Sequence, residues 1–143
     1  MINRLLSLFS FIVLFFAINA QTISYSSQMK PFIGEWVCEQ GEVTMILKIE
    51  KVNSTQVTAK YKAINYEDGR PRTFYTDFEK IIWDNGKFIF TSTGDYSDKD
   101  LIFKNIATLK DQTLILVYQC WEKIGGNYKL MVEQEIGKFH FKW

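Results

Sequence analysis

The sequence predicts an all-β domain: an antiparallel up-and-down meander of about eight strands that closes into a barrel, with a two-sheet sandwich as the alternative. Three observations lead there. Apolar and polar residues alternate with a period of two through most of residues 32–143, the pattern of strands with one buried face. Turn residues separate the alternating segments at intervals too short for crossover helices, so successive strands pair antiparallel. Helical spacing is missing from the same stretch, and closure is preferred to a sandwich because it removes both exposed edges.

Residues 1–20 stand apart from this pattern. Arg4 lies in a short polar start, Leu5 to Ile18 is almost wholly apolar, and Asn19-Ala20-Gln21 follows, which together read as a cleaved export signal peptide cut after Ala20. The apolar run falls short of the about 20 residues that span a bilayer, and no polybasic stop follows it, so no membrane span is expected after cleavage. Gln21 at the new N-terminus argues against a lipid anchor. The mature chain is therefore expected to be secreted or periplasmic, with residues 21–31 an unstructured lead and 32–143 the barrel.

From Ile33 onward the strands follow in order. Val43, Met45, Leu47 and Ile49 interleave with Thr44, Lys48 and Glu50, with Ile46 breaking the outer face; the turn Asn53-Ser54-Thr55 follows. Val57, Ala59, Tyr61 and Ala63 face one way in the next segment. Phe74, Thr76, Phe78 and Ile82 are then expected on the inner face of a single strand, closed by Asp84-Asn85-Gly86-Lys87, since Asn-Gly readily takes the positive φ angles of a tight hairpin. Phe88 and Phe90 continue on the return strand. After a loop expected over Thr93 to Asp100 come Leu101 to Leu109, then Thr113 to Glu122, Tyr128 to Glu135, and a short terminal alternation of Phe139, Phe141 and Trp143 against Lys138, His140 and Lys142.

Composition limits the function classes. Seventeen basic and sixteen acidic side chains, less Arg4, leave sixteen of each in the mature chain, and they intersperse without blocks. A net charge of zero supplies no electrostatic reason to expect nucleic acid or an anionic membrane as partner. The two cysteines, Cys38 and Cys120, travel to a compartment where disulfides persist. A bond between them would close a loop of about 80 residues and restrict the unfolded chain by about 4 to 5 kcal/mol. In a closed eight-strand meander, however, the two would lie a strand apart, roughly 9 to 10 Å between α-carbons at the usual strand spacing, beyond the about 7 Å that a disulfide bridges. Closure and the bond therefore compete, and two free thiols are the alternative.

Phe32-Ile33-Gly34-Glu35-Trp36 places a Gly-x-Trp on the first strand, just after an export signal and a short lead. This opening resembles that of the lipocalins and, more widely, the calycins. The resemblance implies structural roles for Gly34, which allows close approach, and Trp36, which plugs the narrow end of the barrel. In that family a basic residue, usually arginine, stacks on the tryptophan from the last strand; here Lys129, Lys138 or Lys142 would have to stand in. No long helix follows the last strands. The compact hairpins are similar in size to avidin-type barrels, yet Val37 to Glu42 lacks the asparagine and serine of an avidin biotin site. There is no room for the helical pair of fatty-acid-binding proteins. The whole is similar to short exported barrels abundant in Bacteroidota.

An eight-strand barrel has an interior that is either filled by side chains or holds one small ligand. The candidate ligand-binding residues are the expected inward aromatics Tyr61, Phe74, Phe78, Phe88, Phe90, Phe103 and Tyr118, with Ala59, Ala63 and Ala107 as smaller positions. One reading is an aromatic-walled pocket for an apolar or planar small molecule, oriented by the Tyr61 and Tyr118 hydroxyls. The other is that these rings meet as a solid core and the protein acts on a protein partner as an interaction module or inhibitor. Thr76, Lys80 and Asn105 share the inward parity, while Arg70, Arg72 and Tyr96 lie in loops.

Catalysis finds no support. The only histidine, His140, points away from the apolar face, so neither a Ser-His-Asp nor a Cys-His arrangement can be assembled. Asp77 and Glu79 share an outward face and do not converge. Zinc and haem lack ligands, and the acidic run Asp95 to Asp100 lacks an EF-hand pattern. The expectation is a non-enzymatic monomer without metal or cofactor.

Overall fold

The alternation in the sequence becomes ten antiparallel strands in a nearly closed barrel. The computed structural model describes residues 21–76, 78–96 and 99–143; the expected export signal lies outside the described residues. The strands are β1 (Ile23–Ser24), β2 (Gly34–Gln40), β3 (Val43–Asn53), β4 (Gln56–Asn65), β5 (Arg72–Thr76), β6 (Lys80–Asp84), β7 (Lys87–Tyr96), β8 (Lys99–Lys110), β9 (Thr113–Ile124) and β10 (Asn127–Phe141). Their order around the wall is β1-β4-β3-β2-β10-β9-β8-β7-β6, with β5 also on β4. The last strand thus returns to the first main one, through Val37 opposite His140 and Trp36 opposite Phe141. Among the described residues no pairing joins β5 to β6, which leaves the seam of the barrel there.

Turn chemistry sets the registers. Asn85 and Gly86 sit at φ 48° and 79°, the left-handed pair a tight hairpin needs, and they hold Asp84 opposite Lys87. Asn53 accepts from the Thr55 backbone amide at 2.9 Å, an Asx turn that reverses β3 into β4.

Several expectations are corrected. The lead at residues 21–31 is not unstructured: β1 pairs with the start of β4, Gln21 accepts from the Thr58 hydroxyl at 2.8 Å, and a 3-10 turn, Ser27–Phe32, follows. That turn buries Met29 and Phe32, which repays ordering a polar segment. The single strand expected from Phe74 to Ile82 is two, because Phe78 and Ile81 both pack toward the core and one extended strand cannot place residues three apart on the same face. The inner face of β6 is accordingly Ile81 and Trp83, while Lys80, exposed opposite Thr91, and Ile82 leave the inward set. Much of the loop expected over Thr93 to Asp100 is strand, since β7 and β8 stay paired to Tyr96 and Lys99. The expected eighth strand and terminal alternation form one strand, β10, continuous through irregularities near Met131 and Ile136.

Cys38 and Cys120 are free thiols. The candidate disulfide is not formed, because β10 runs between them: Cys38 abuts Gly137 whereas Cys120 stands opposite Val132, points about 16 Å apart along the strand.

Candidate functional site

The barrel interior divides into a filled half and an open half. At the filled end Phe32, from the 3-10 turn, meets Trp83 and Phe88 edge-on at 5.3 and 5.2 Å between ring centroids. The Trp36 indole donates to the Phe32 carbonyl at 2.9 Å, satisfying its one donor while the ring is buried. Leu47, Ile49, Phe88, Phe90, Leu114 and Phe139 have no exposed surface. Phe88 and Phe90, two of the candidate ligand contacts, are therefore core residues, stacked on each other at 5.7 Å.

Above Phe90 the inward residues are only half-buried. Phe78, from the segment joining β5 to β6, stacks on Phe90 at 4.8 Å. Across the β7, β8 and β9 ladders, Phe90 stands opposite Asn105 and Asn105 opposite Tyr118; one level further out, Ser92 stands opposite Phe103 and Phe103 opposite Cys120. Phe103 and Tyr118 stack at 6.1 Å. Tyr61 lies on β4, opposite Leu47 and Thr76. Phe103 and Tyr118 thus line one part of the wall of an open cup and Tyr61 another, with Phe78 lying over the fully buried Phe90 at its base. Phe74 does not join them: it is 60% exposed on β5, next to the unpaired seam.

Electrostatically the cup disfavours charge. Burial pushes the Tyr61 phenol above its usual range, and the neighbouring Cys38 adds to this; burial does the same for Tyr118, reinforced by Cys120. Burial also raises the Cys38 thiol, against hydrogen bonds from the Lys138 backbone and Gln40. Both phenols stay neutral at physiological pH and can each donate one hydrogen bond. Among the described residues no three His, Cys, Asp or Glu side chains are grouped to hold a metal ion.

A second concavity, of about 900 Å³, opens at the filled end between Lys30 and Phe32 of the 3-10 turn, Asp111 and Gln112 at the β8 to β9 turn, and His140, Phe141 and Trp143. No sequence pattern announces it, because its walls come from three chain segments that only closure brings together. Arg70, in the loop before β5, and Arg72, the first residue of β5, are both exposed. Compared with known proteins, the chain matches no family model, no curated protein and no solved structure.

Proposed function

We propose that this is an exported, lipocalin-like (calycin) binding protein, akin to the short exported barrels of Bacteroidota, which holds a small apolar or planar ligand in the open cup. The observation that carries the reading is the set of inward aromatics, Tyr61, Phe78, Phe103 and Tyr118, left half-buried above a finished core. Core packing does not require them there, and a ligand lying against Phe78 and the Phe103–Tyr118 pair would remove their remaining apolar surface from water at about 25 cal/mol per Å². Asn105 and the Tyr118 hydroxyl supply the few polar anchors such a site uses. The neutral phenols and the absence of a cationic side chain from this aromatic set favour an uncharged ligand. Binding is carriage, with no chemistry on the bound molecule.

The filled lower half favours a second reading, a barrel that acts through its surface on another protein. Native mass spectrometry of the chain from its own host, with extraction of retained molecules, separates the two. Carriage predicts an apolar or planar molecule that is lost in Phe103→Ser and Tyr118→Ser variants whose circular dichroism is unchanged. A clean unliganded mass that persists across lipid and pigment panels overturns carriage.

A further inference from the structure

The concavity at the filled end has a volume of about 900 Å³, within the range of small-molecule sites. Its base is core and its mouth is polar: Phe32 and Trp36 are buried, while Lys30, Asp111, Gln112 and Trp143 are exposed. The Trp143 side chain is fully exposed, although the chain beside it is held in place. The Lys142 backbone amide donates to the Glu35 carbonyl at 2.8 Å, and the Lys142 ammonium donates to the Glu35 carboxylate at 3.2 Å. The Trp143 indole meets Phe141 edge-on at 5.0 Å, and Phe141 meets Trp36 in the same way at 5.3 Å. A bare indole thus ends an aromatic ladder that begins in the core. Apolar surface left open on a concavity and rimmed by polar groups is the mark of a binding site.

The turn beside it carries a second observation. Asp111 and Gln112 join β8 to β9 at φ 51° and 66°, both in the left-handed region. The tight turns at Asn85-Gly86 and Gly125-Gly126 use glycine there, whereas this one holds two side chains, and glutamine has neither glycine's freedom nor the short side chain that eases asparagine into this conformation. Strain kept in this way gathers at functional sites, and here it sets a carboxylate and a carboxamide residue on the wall of the concavity.

The lining selects the ligand class. Lys30 and Asp111 contribute opposite charges, and Gln112 and Thr113 each both donate and accept. An anion would face Asp111, a cation would face Lys30, and a wholly apolar molecule would strip water from both without replacing it. An uncharged ring bearing hydroxyls avoids all three conflicts. Its hydroxyls donate to Asp111 and accept from Lys30, while its C–H face lies on the electron-rich face of the Trp143 indole. We infer that this concavity binds a neutral oligosaccharide, with Trp143 as the stacking platform and Asp111 and Gln112 reading the hydroxyls. The site is independent of the cup, since Tyr61, Phe78, Phe103 and Tyr118 take no part in its lining.

Heteronuclear NMR of the purified chain, titrated separately with cellotetraose, maltotetraose and tetra-N-acetylchitotetraose to about 20 mM, tests this. The expected result is saturable binding of at least one of them, with a dissociation constant of about 0.1 to 5 mM. It should shift the Trp143 indole signal and the amides of Asp111, Gln112 and Thr113, and leave those of Phe103 and Tyr118 unmoved. Trp143→Ala should weaken binding by about tenfold or more, and Trp143→Tyr by less than about threefold because a ring platform remains. Asp111→Gly/Gln112→Gly separates the site from the fold: it should raise the urea midpoint by releasing the left-handed strain, yet weaken binding by about tenfold or more. Absence of a saturable shift with all three saccharides overturns the inference. So do shifts that map to the cup, affinity unchanged by Trp143→Ala or by the double glycine variant, and tighter binding at these signals of the planar apolar probe naphthol. A urea midpoint lowered in the double glycine variant removes the strain on which the assignment of Asp111 and Gln112 rests and overturns it as well.

Discussion

A β-carbon on Gly34 would fall 2.7 Å from Cζ of Phe141, so the ring of Phe141 fills the space that any side chain at position 34 would need. The same ring meets Trp36 edge-on at 5.3 Å. The residue that the last strand lays on Trp36 is thus an aromatic. Lys142, one of the lysines expected to stand in for the family's arginine, pairs with Glu35 at 3.2 Å, where an exposed ion pair contributes at most about 1 kcal/mol. Gly34 also adopts φ 142°, which a side chain rarely tolerates.

Gly34→Ala is therefore expected to destabilise the fold by about 2 to 4 kcal/mol, from backbone strain together with the clash. Phe141→Ala should relieve only the clash. Denaturant titration of both single variants and the double variant checks this: the double must lose less than the sum of the singles. Strict additivity would mean that the ring moves away freely.

The division of the barrel predicts unequal responses from two phenylalanines that the sequence presents alike. Phe90 is fully buried and Phe74 is 60% exposed. Phe90→Ala is expected to cost about 3 to 5 kcal/mol, and Phe74→Ala less than about 0.5 kcal/mol. Urea midpoints would show the contrast. Similar losses at both positions would require Phe74 to be covered.

Tyr61 and Tyr118 are held protonated above the usual tyrosine range, chiefly by burial. Their contribution to stability is complete below the unfolded-state value of about 10 and is lost as pH rises through the higher folded-state values. Urea midpoints measured from pH 8 to 11.5 should fall above about pH 10, and Tyr61→Phe/Tyr118→Phe should flatten that limb. Lysine deprotonation acts on both proteins, so an equally steep limb in the variant would remove the phenols as its cause.

The all-β class, the antiparallel meander and most inward residues follow from the sequence alone, because alternation along one strand and the chemistry of Asn85-Gly86 act over a few residues. Trp36, Leu47, Phe88 and Leu116 could be placed on the inner face by parity. The parity shift between Phe78 and Ile81 could not be read, since Phe78-Lys80-Ile82 and Ile81-Trp83 are both acceptable strand faces until the core selects one. Which aromatics are core and which line the cup was likewise decided by tertiary structure. Phe88, Phe90, Phe103 and Tyr118 share one local pattern, and only depth along the barrel, set by the Met29–Phe32 plug and the closure of β10 on β2, separates them. The edge of β10 from Asn127 to Glu135 has the same origin: the strand is written in the sequence, but that β2 pairs with it only at His140 and Phe141 depends on where β2 ends in space.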